Sequence, residues 1–166
     1  MPADPSKVTG MEKRTLAAAL EREHREIDAG IEAFGDEPVD DDGRVEALTG
    51  AIAALRRHIY LEEEFLFPAL RSELAVPTIV MLREHGELWR TLDELEEKQA
   101  EGASEASLRG LCRELLARLA SHNGKEEPIF YTRADPGLAA TATAELRAFL
   151  DSGRMPQGWV CQEARA

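Results

Sequence analysis

The chain has 166 residues, 43% of them apolar and 31% charged, with a net charge of −12 at pH 7. That length suits one domain with a core of its own, and the acidic balance argues against a nucleic-acid or anionic-membrane surface. The two cysteines, Cys112 and Cys161, lack Cys-x-x-Cys spacing and give no disulfide framework. No run approaches the roughly 20 apolar residues of a membrane span. Met1–Gly10 has no apolar stretch of the kind a signal peptide needs, so a cytoplasmic location is expected.

Taken in order, residues 1–10 contain Pro2, Pro5 and Gly10 and are expected to form a loose arm. A first helix is predicted from Glu12 to Phe34, with Leu16, Leu20, His24, Ile27 and Ile31 on its apolar face. Gly35–Gly43 is an acidic connection offering Asp40, Asp41 and Asp42 as caps. A second helix is predicted from Arg44 to Phe67, carrying His58 and Glu62 in its stripe. Pro68 must end or kink it. A third runs from Thr78 to Ala100 around His85, and a fourth from Glu105 to Tyr131 around His122 and Glu126. Gly124 and Pro128 are expected to distort the end of the fourth. Asp135-Pro136-Gly137 reads as the start of a shorter fifth helix that Gly153 stops. The tail from 153 to 166, with Trp159 and Cys161, has no clear period. The pattern predicts an all-α protein, an antiparallel four-helix bundle over residues 11–152 with a short extra C-terminal helix.

The chemistry sits in the stripes. His58-x-x-x-Glu62-Glu63 recurs as His122-x-x-x-Glu126-Glu127, and the other two histidines, His24 and His85, each lie one helix upstream of a copy. Residues four apart share a helix face, so each His–Glu pair can hold one ion. Polar groups in an apolar stripe need partners, since burying them unpaired costs several kcal/mol. Modest stagger between the helices brings all four histidines level. Four imidazoles and two carboxylates exceed the four positions of one zinc ion. They suit two ions with two histidines each, bridged by Glu62 and Glu126. Nitrogen and carboxylate without thiolate suits iron or manganese and leaves zinc open. The order also differs from the Glu-x-x-His of ferritin-like di-iron bundles.

These residues resemble the hemerythrin-like (HHE cation-binding) domain of the four-histidine, two-glutamate type. The matching segments are Leu20-Glu21-Arg22-Glu23-His24, His58 with Glu62 ahead of Phe65-Leu66-Phe67-Pro68, Arg83-Glu84-His85, and His122 with Glu126, spanning about residues 12–132. The resemblance implies a bundle holding a non-haem di-iron centre. Two Fe ions would be joined by an oxo or hydroxo bridge and two carboxylates, with His24, His58, His85 and His122 as terminal ligands. Oxygen-carrying members have a second histidine one turn after the third-helix ligand, where this chain has Trp89. They also use an aspartate five residues after the last histidine. Here that residue is Glu127, while the internal repeat points to Glu126. The set looks closer to bacterial iron-centre repair proteins. Those carry a further cysteine-bearing domain that these residues do not include, so repair activity is not implied.

The expected function is a di-iron protein that binds O2, NO or peroxide at an open iron position, for sensing, detoxification or iron handling. An oxidoreductase consuming peroxide or NO is one alternative, and a metal-free helical interaction module is another. No catalytic residue and no protein partner is assigned. Among the neighbours, Asp28 is expected to orient His24. Glu63, Glu64 and Glu127 are expected to be solvated or to back the ligands. Trp89, Phe67 and Cys112 are read as packing and Tyr60 as surface. Tyr131 flanks the second motif, within reach of a bound ligand.

Overall fold

A computed structural model describes residues 15–35 and 42–165. The arm expected over residues 1–10, the first turn from Glu12 and the cap side chains expected at Asp40, Asp41 and Asp42 lie outside the described residues. Within them, α1 is Leu16–Gly35 and α2 is Asp42–Leu61. The second helix continues without a break through a π-helical turn, Glu62–Leu66, into a last α turn, Phe67–Leu70. Then come α3 (Ala75–Ala100) and α4 (Glu105–Glu126). A second π turn, Glu127–Tyr131, carries α4 on into Thr132–Gly137. A shorter α5 (Ala140–Ser152) and a 3-10 turn (Gln162–Ala164) complete the described chain. No helix among the described residues is long and apolar enough to cross a membrane.

The four long helices close into an antiparallel bundle, each packed against two neighbours in the order α1, α2, α3, α4 and back to α1. The apolar stripes explain this arrangement, because each buries one face and only a shared core satisfies all four. The α1 stripe is buried throughout: Leu16, Leu20, His24, Ile27 and Ile31. The core has two parts. One contains Ile27, Ile31, Leu48, Ile52, Leu55, Leu92, Leu115 and Leu119. The other contains Leu16, Leu20, Leu66, Phe67, Leu70, Phe130 and Tyr131. The histidine and glutamate layer lies between these two apolar plugs.

Several boundaries move for physical reasons. Helix α3 begins at Ala75, not Thr78, because Pro77 falls in its first turn, where no backbone N–H is needed. It ends at Ala100, and Gly102 just beyond, with a φ of 72°, takes the left-handed conformation that glycine adopts without strain. Ser104 caps α4 by accepting from the Ser107 N–H at 3.2 Å. Asp135-Pro136-Gly137 closes a helix and does not open one; α5 starts later, at Ala140. The Asp135 carboxylate still caps a helix, but a distant one. It accepts from the N–H of Leu16 at 2.9 Å and of Ala17 at 3.2 Å, the free donors at the start of α1.

The tail docks along α3. Cys161 is fully buried, and Trp159 packs edge-on against Trp89 (centroids 5.5 Å apart) and Tyr60 (5.0 Å). Tyr60 is therefore partly covered and not a surface residue. The Gln162 N–H donates to Glu63 Oε2 at 2.9 Å, and the Trp159 indole N–H donates to Glu64 Oε1 at 3.2 Å. This contact needs a glycine in α3. A Cβ at Gly86 would stand 2.8 Å from Glu163 Cβ and 3.2 Å from its backbone.

Gly86→Ala is accordingly expected to lift the tail and leave the bundle helices in place. Cys161, buried in the wild type, should then react with a thiol reagent under native conditions faster than it does in the wild type, while helical circular dichroism stays constant. A Cys161 that remains protected in Gly86→Ala would contradict this packing.

Candidate metal centre

Each long helix delivers its predicted residues to one level: His24 from α1, His58 and Glu62 from α2 and its π turn, His85 from α3, and His122 and Glu126 from α4. All six are buried. Their ligand atoms form two overlapping groups, each within 4.8 Å: His24, His58, Glu62 and Glu126, and Glu62, His85, His122 and Glu126. Both glutamates belong to both groups.

The imidazole Nε2 atoms all face inward. His24 and His122 lie 3.3 and 3.4 Å from the Glu126 oxygens; His58 and His85 lie 3.3 and 3.5 Å from Glu62 Oε1. These separations exceed the 2.7–3.2 Å of ordinary N–H···O bonds. Two donors each about 2.1 Å from one ion stand about 3.0 Å apart at right angles and about 3.4 Å apart at the tetrahedral angle. The spacing is wide enough for a metal ion to be held within each group.

The outer nitrogens are all held. His24 Nδ1 is 2.9 Å from Glu127, His58 Nδ1 2.8 Å from Glu23, His85 Nδ1 3.0 Å from Glu63, and His122 Nδ1 2.8 Å from Glu84. A neutral ring so bonded donates from Nδ1 and keeps its Nε2 lone pair aimed inward. Glu23 and Glu84 reach between helices of one half; Glu63 and Glu127 reach between halves. The four bonds therefore close a ring around the bundle. Arg57 fixes Glu23 at 2.7 Å and also donates to the Phe149 and Gly153 carbonyls, tying α5 to the ring. Lys125 pairs with Glu84.

Electrostatics show what the layer lacks. Burial and the neighbouring Glu126 charge push Glu62 well above the usual carboxylate range. Burial would raise Glu126 too, but the His122 charge and the close approach of the His122 and His24 rings hold it well below. Burial depresses His58 and His85. It would depress His122 as well, but the nearby Glu126 charge and the bond to Glu84 prevail and raise it to about 9. Glu62 Oε1, both Glu126 oxygens and His85 Nε2 are buried without a hydrogen-bond partner. An unpaired buried polar atom costs about 1–3 kcal/mol. Acceptors facing one another are satisfied together by cations between them, so the donor set fits metal ions.

One π turn begins at Glu62 and the other directly after Glu126. The Phe67 N–H bonds to the Glu62 carbonyl, five residues back. At 3.6 residues per turn, a residue five positions on lies roughly 140° around the helix. The wider π turn brings it back toward the starting face. Phe67 and Tyr131, each five residues after its glutamate, are thereby returned to the centre. The Tyr131 hydroxyl lies 2.8 Å from His24 Nε2 and 2.9 Å from His58 Nε2, and donates to Glu62 Oε2 at 3.1 Å.

Some expectations are corrected. Asp28 does not orient His24; the ring's Nδ1 faces α4, and Glu127 takes it. Asp28 Oδ1 is left without a partner. Glu127 is thus an outer support, and Glu126 is the residue that points inward. Trp89 belongs to the core, with the Arg56 guanidinium 4.4 Å over its ring. Sequence reasoning passed over Glu23 and Glu84. Their signal was present, since a glutamate immediately precedes each lone histidine.

A family model described as "Hemerythrin HHE cation binding domain" matches residues 15–134. No curated protein and no solved structure gives a significant match. Loss of an outer support typically lowers metal affinity 10–100-fold. Glu127→Ala is expected to lose that much in chelator competition, whereas Asp28→Ala should lose almost nothing. The reverse order would return the orienting role to Asp28.

Proposed function

We propose that this chain, which belongs to the hemerythrin HHE cation-binding domain family, holds two non-haem iron ions and binds O2, NO or peroxide beside them. His24 and His58 would hold one ion, His85 and His122 the other, with Glu62 and Glu126 spanning both. The observation that carries this reading is the pair of overlapping four-residue groups sharing both glutamates. Nitrogen with hard carboxylate oxygen, and no thiolate, favours iron or manganese over a closed structural zinc site. Two such ions would supply electrons and an open coordination position to a small oxidising ligand.

The chain's own residues do the rest. The ring of Glu23, Glu63, Glu84 and Glu127 holds each Nε2 lone pair on target before any ion arrives. This preorganisation spares the site the cost of ordering four side chains on binding. The apolar plugs above and below the layer exclude water, which strengthens the attraction between the two carboxylates and a cation. Sensing, detoxification and iron handling all draw on such a centre. Repeated turnover of peroxide or NO with a supplied reductant separates an enzyme from a binding protein.

Protein purified without chelators is expected to contain about two irons per chain and to show near-ultraviolet bands that respond to peroxide or NO. The double variant His58→Ala with Glu62→Ala should lose iron while remaining helical. One zinc per chain, or no metal after anaerobic iron loading, would contradict the reading, as would full iron occupancy in the double variant.

A further inference from the structure

The two halves of the centre match closely. His24 and His58 pair at 4.7 Å between ring centroids, and His85 and His122 at 5.0 Å. Each lone histidine is covered by an aromatic ring at the end of a π turn or just past it, five residues after a glutamate. Tyr131 lies over His24 (5.2 Å, interplanar 31°) and Phe67 over His85 (5.4 Å, 23°). They differ by one oxygen atom. On the His24 side the Tyr131 hydroxyl stands where the two Nε2 lone pairs converge. On the His85 side there is only the apolar ring of Phe67, and His85 Nε2 is without a hydrogen-bond partner.

Resting on the di-iron reading above, we propose that the Tyr131 phenol oxygen is a ligand of the ion held by His24 and His58, and that the small external ligand binds at the ion held by His85 and His122, beneath Phe67. An ion entering the first group displaces the hydroxyl from the meeting point of the lone pairs. The hydroxyl, 2.8 and 2.9 Å from the two Nε2 atoms, stays beside the group because its ring is packed in the core. It gives a lone pair to the ion, and its proton leaves to solvent, as binding to a protonated ligand requires. The first position then has five protein ligands: His24, His58, Glu62, Glu126 and Tyr131. The second has four: Glu62, Glu126, His85 and His122. The second is therefore the more open. A surface groove between α3 and α4, lined by Glu84, Ser121 and His122, reaches that half.

The test is spectroscopic and is read per iron bound. Oxidised wild-type protein carrying two irons is expected to show a visible phenolate-to-ferric charge-transfer band, with tyrosine ring modes enhanced in resonance Raman. Tyr131→Phe should lose both signals. Phe67→Tyr, which adds the missing oxygen in the other half, should gain phenolate intensity and weaken azide binding to the oxidised protein by about tenfold or more, or about 1.4 kcal/mol. Two irons without a phenolate band would overturn this proposal alone. So would azide affinity unchanged in a Phe67→Tyr that shows the new band. Fewer than two irons in the wild type would overturn the di-iron reading beneath it.

Discussion

Two carboxylates face each other in the dry interior of a helical bundle, and the rest of the structure answers to that. Glu62 and Glu126 are 1% and 0% exposed. Water cannot reach them to screen their repulsion, and a buried unpaired charge is among the costliest features a fold can carry. Their partial relief is visible in the opposite directions of their proton affinities, Glu62 up and Glu126 down. That is the behaviour of an interacting pair short of positive charge. Four imidazoles surround them; burial depresses His58 and His85, so these two supply lone pairs and little charge, while the Glu126 charge raises His122. Cations between the groups meet both needs together.

The surrounding architecture holds that layer in a single geometry. Each inward imidazole is aimed by an outward glutamate, and each of those glutamates sits beside a core residue in sequence. Glu23 precedes His24, Glu84 precedes His85, Glu63 follows Glu62, and Glu127 follows Glu126. Adjacent residues on a helix point about 100° apart. A residue next to an inward ligand is thus placed to reach sideways to the neighbouring helix. The four bonds tie each helix to the next around the bundle, so the histidine–glutamate layer and the bundle's closure rest on the same side chains. The tail and α5 extend the support. Gln162 bonds Glu63, and Arg57 joins Glu23 to the end of α5.

The sequence made the bundle and its six inward residues legible because both follow the helical period. Spacings of three and four residues mark the stripes, and the repeated His-x-x-x-Glu marks the layer. What escaped it breaks that period or spans long distances. The π turns shift residues by a fraction of a turn, so Tyr131 and Phe67 could not be placed from a regular helix. The prolines stand at different places in the two copies, Pro68 after one π turn and Pro128 inside the other, so proline is not their common cause. Asp135 reads locally as a cap for the helix after it. Only the fold reveals that its partner is the start of α1. Asp28 was one turn from His24 along its own helix, but the ring nitrogen in question faces another helix. The tail is aperiodic because it is irregular chain ending in a 3-10 turn that packs on α3, where Gly86 leaves room for Glu163.

The central claim is that Glu62 and Glu126 hold two ions as one coupled unit. A Mössbauer spectrum of protein loaded with 57Fe and oxidised tests this most directly. The account predicts two ferric ions coupled through their bridges into a diamagnetic ground state, giving quadrupole doublets without magnetic splitting at low temperature in an applied field beyond that of the field itself. Two magnetically independent high-spin ferric ions would contradict it, because ions bound in separate sites share neither carboxylate.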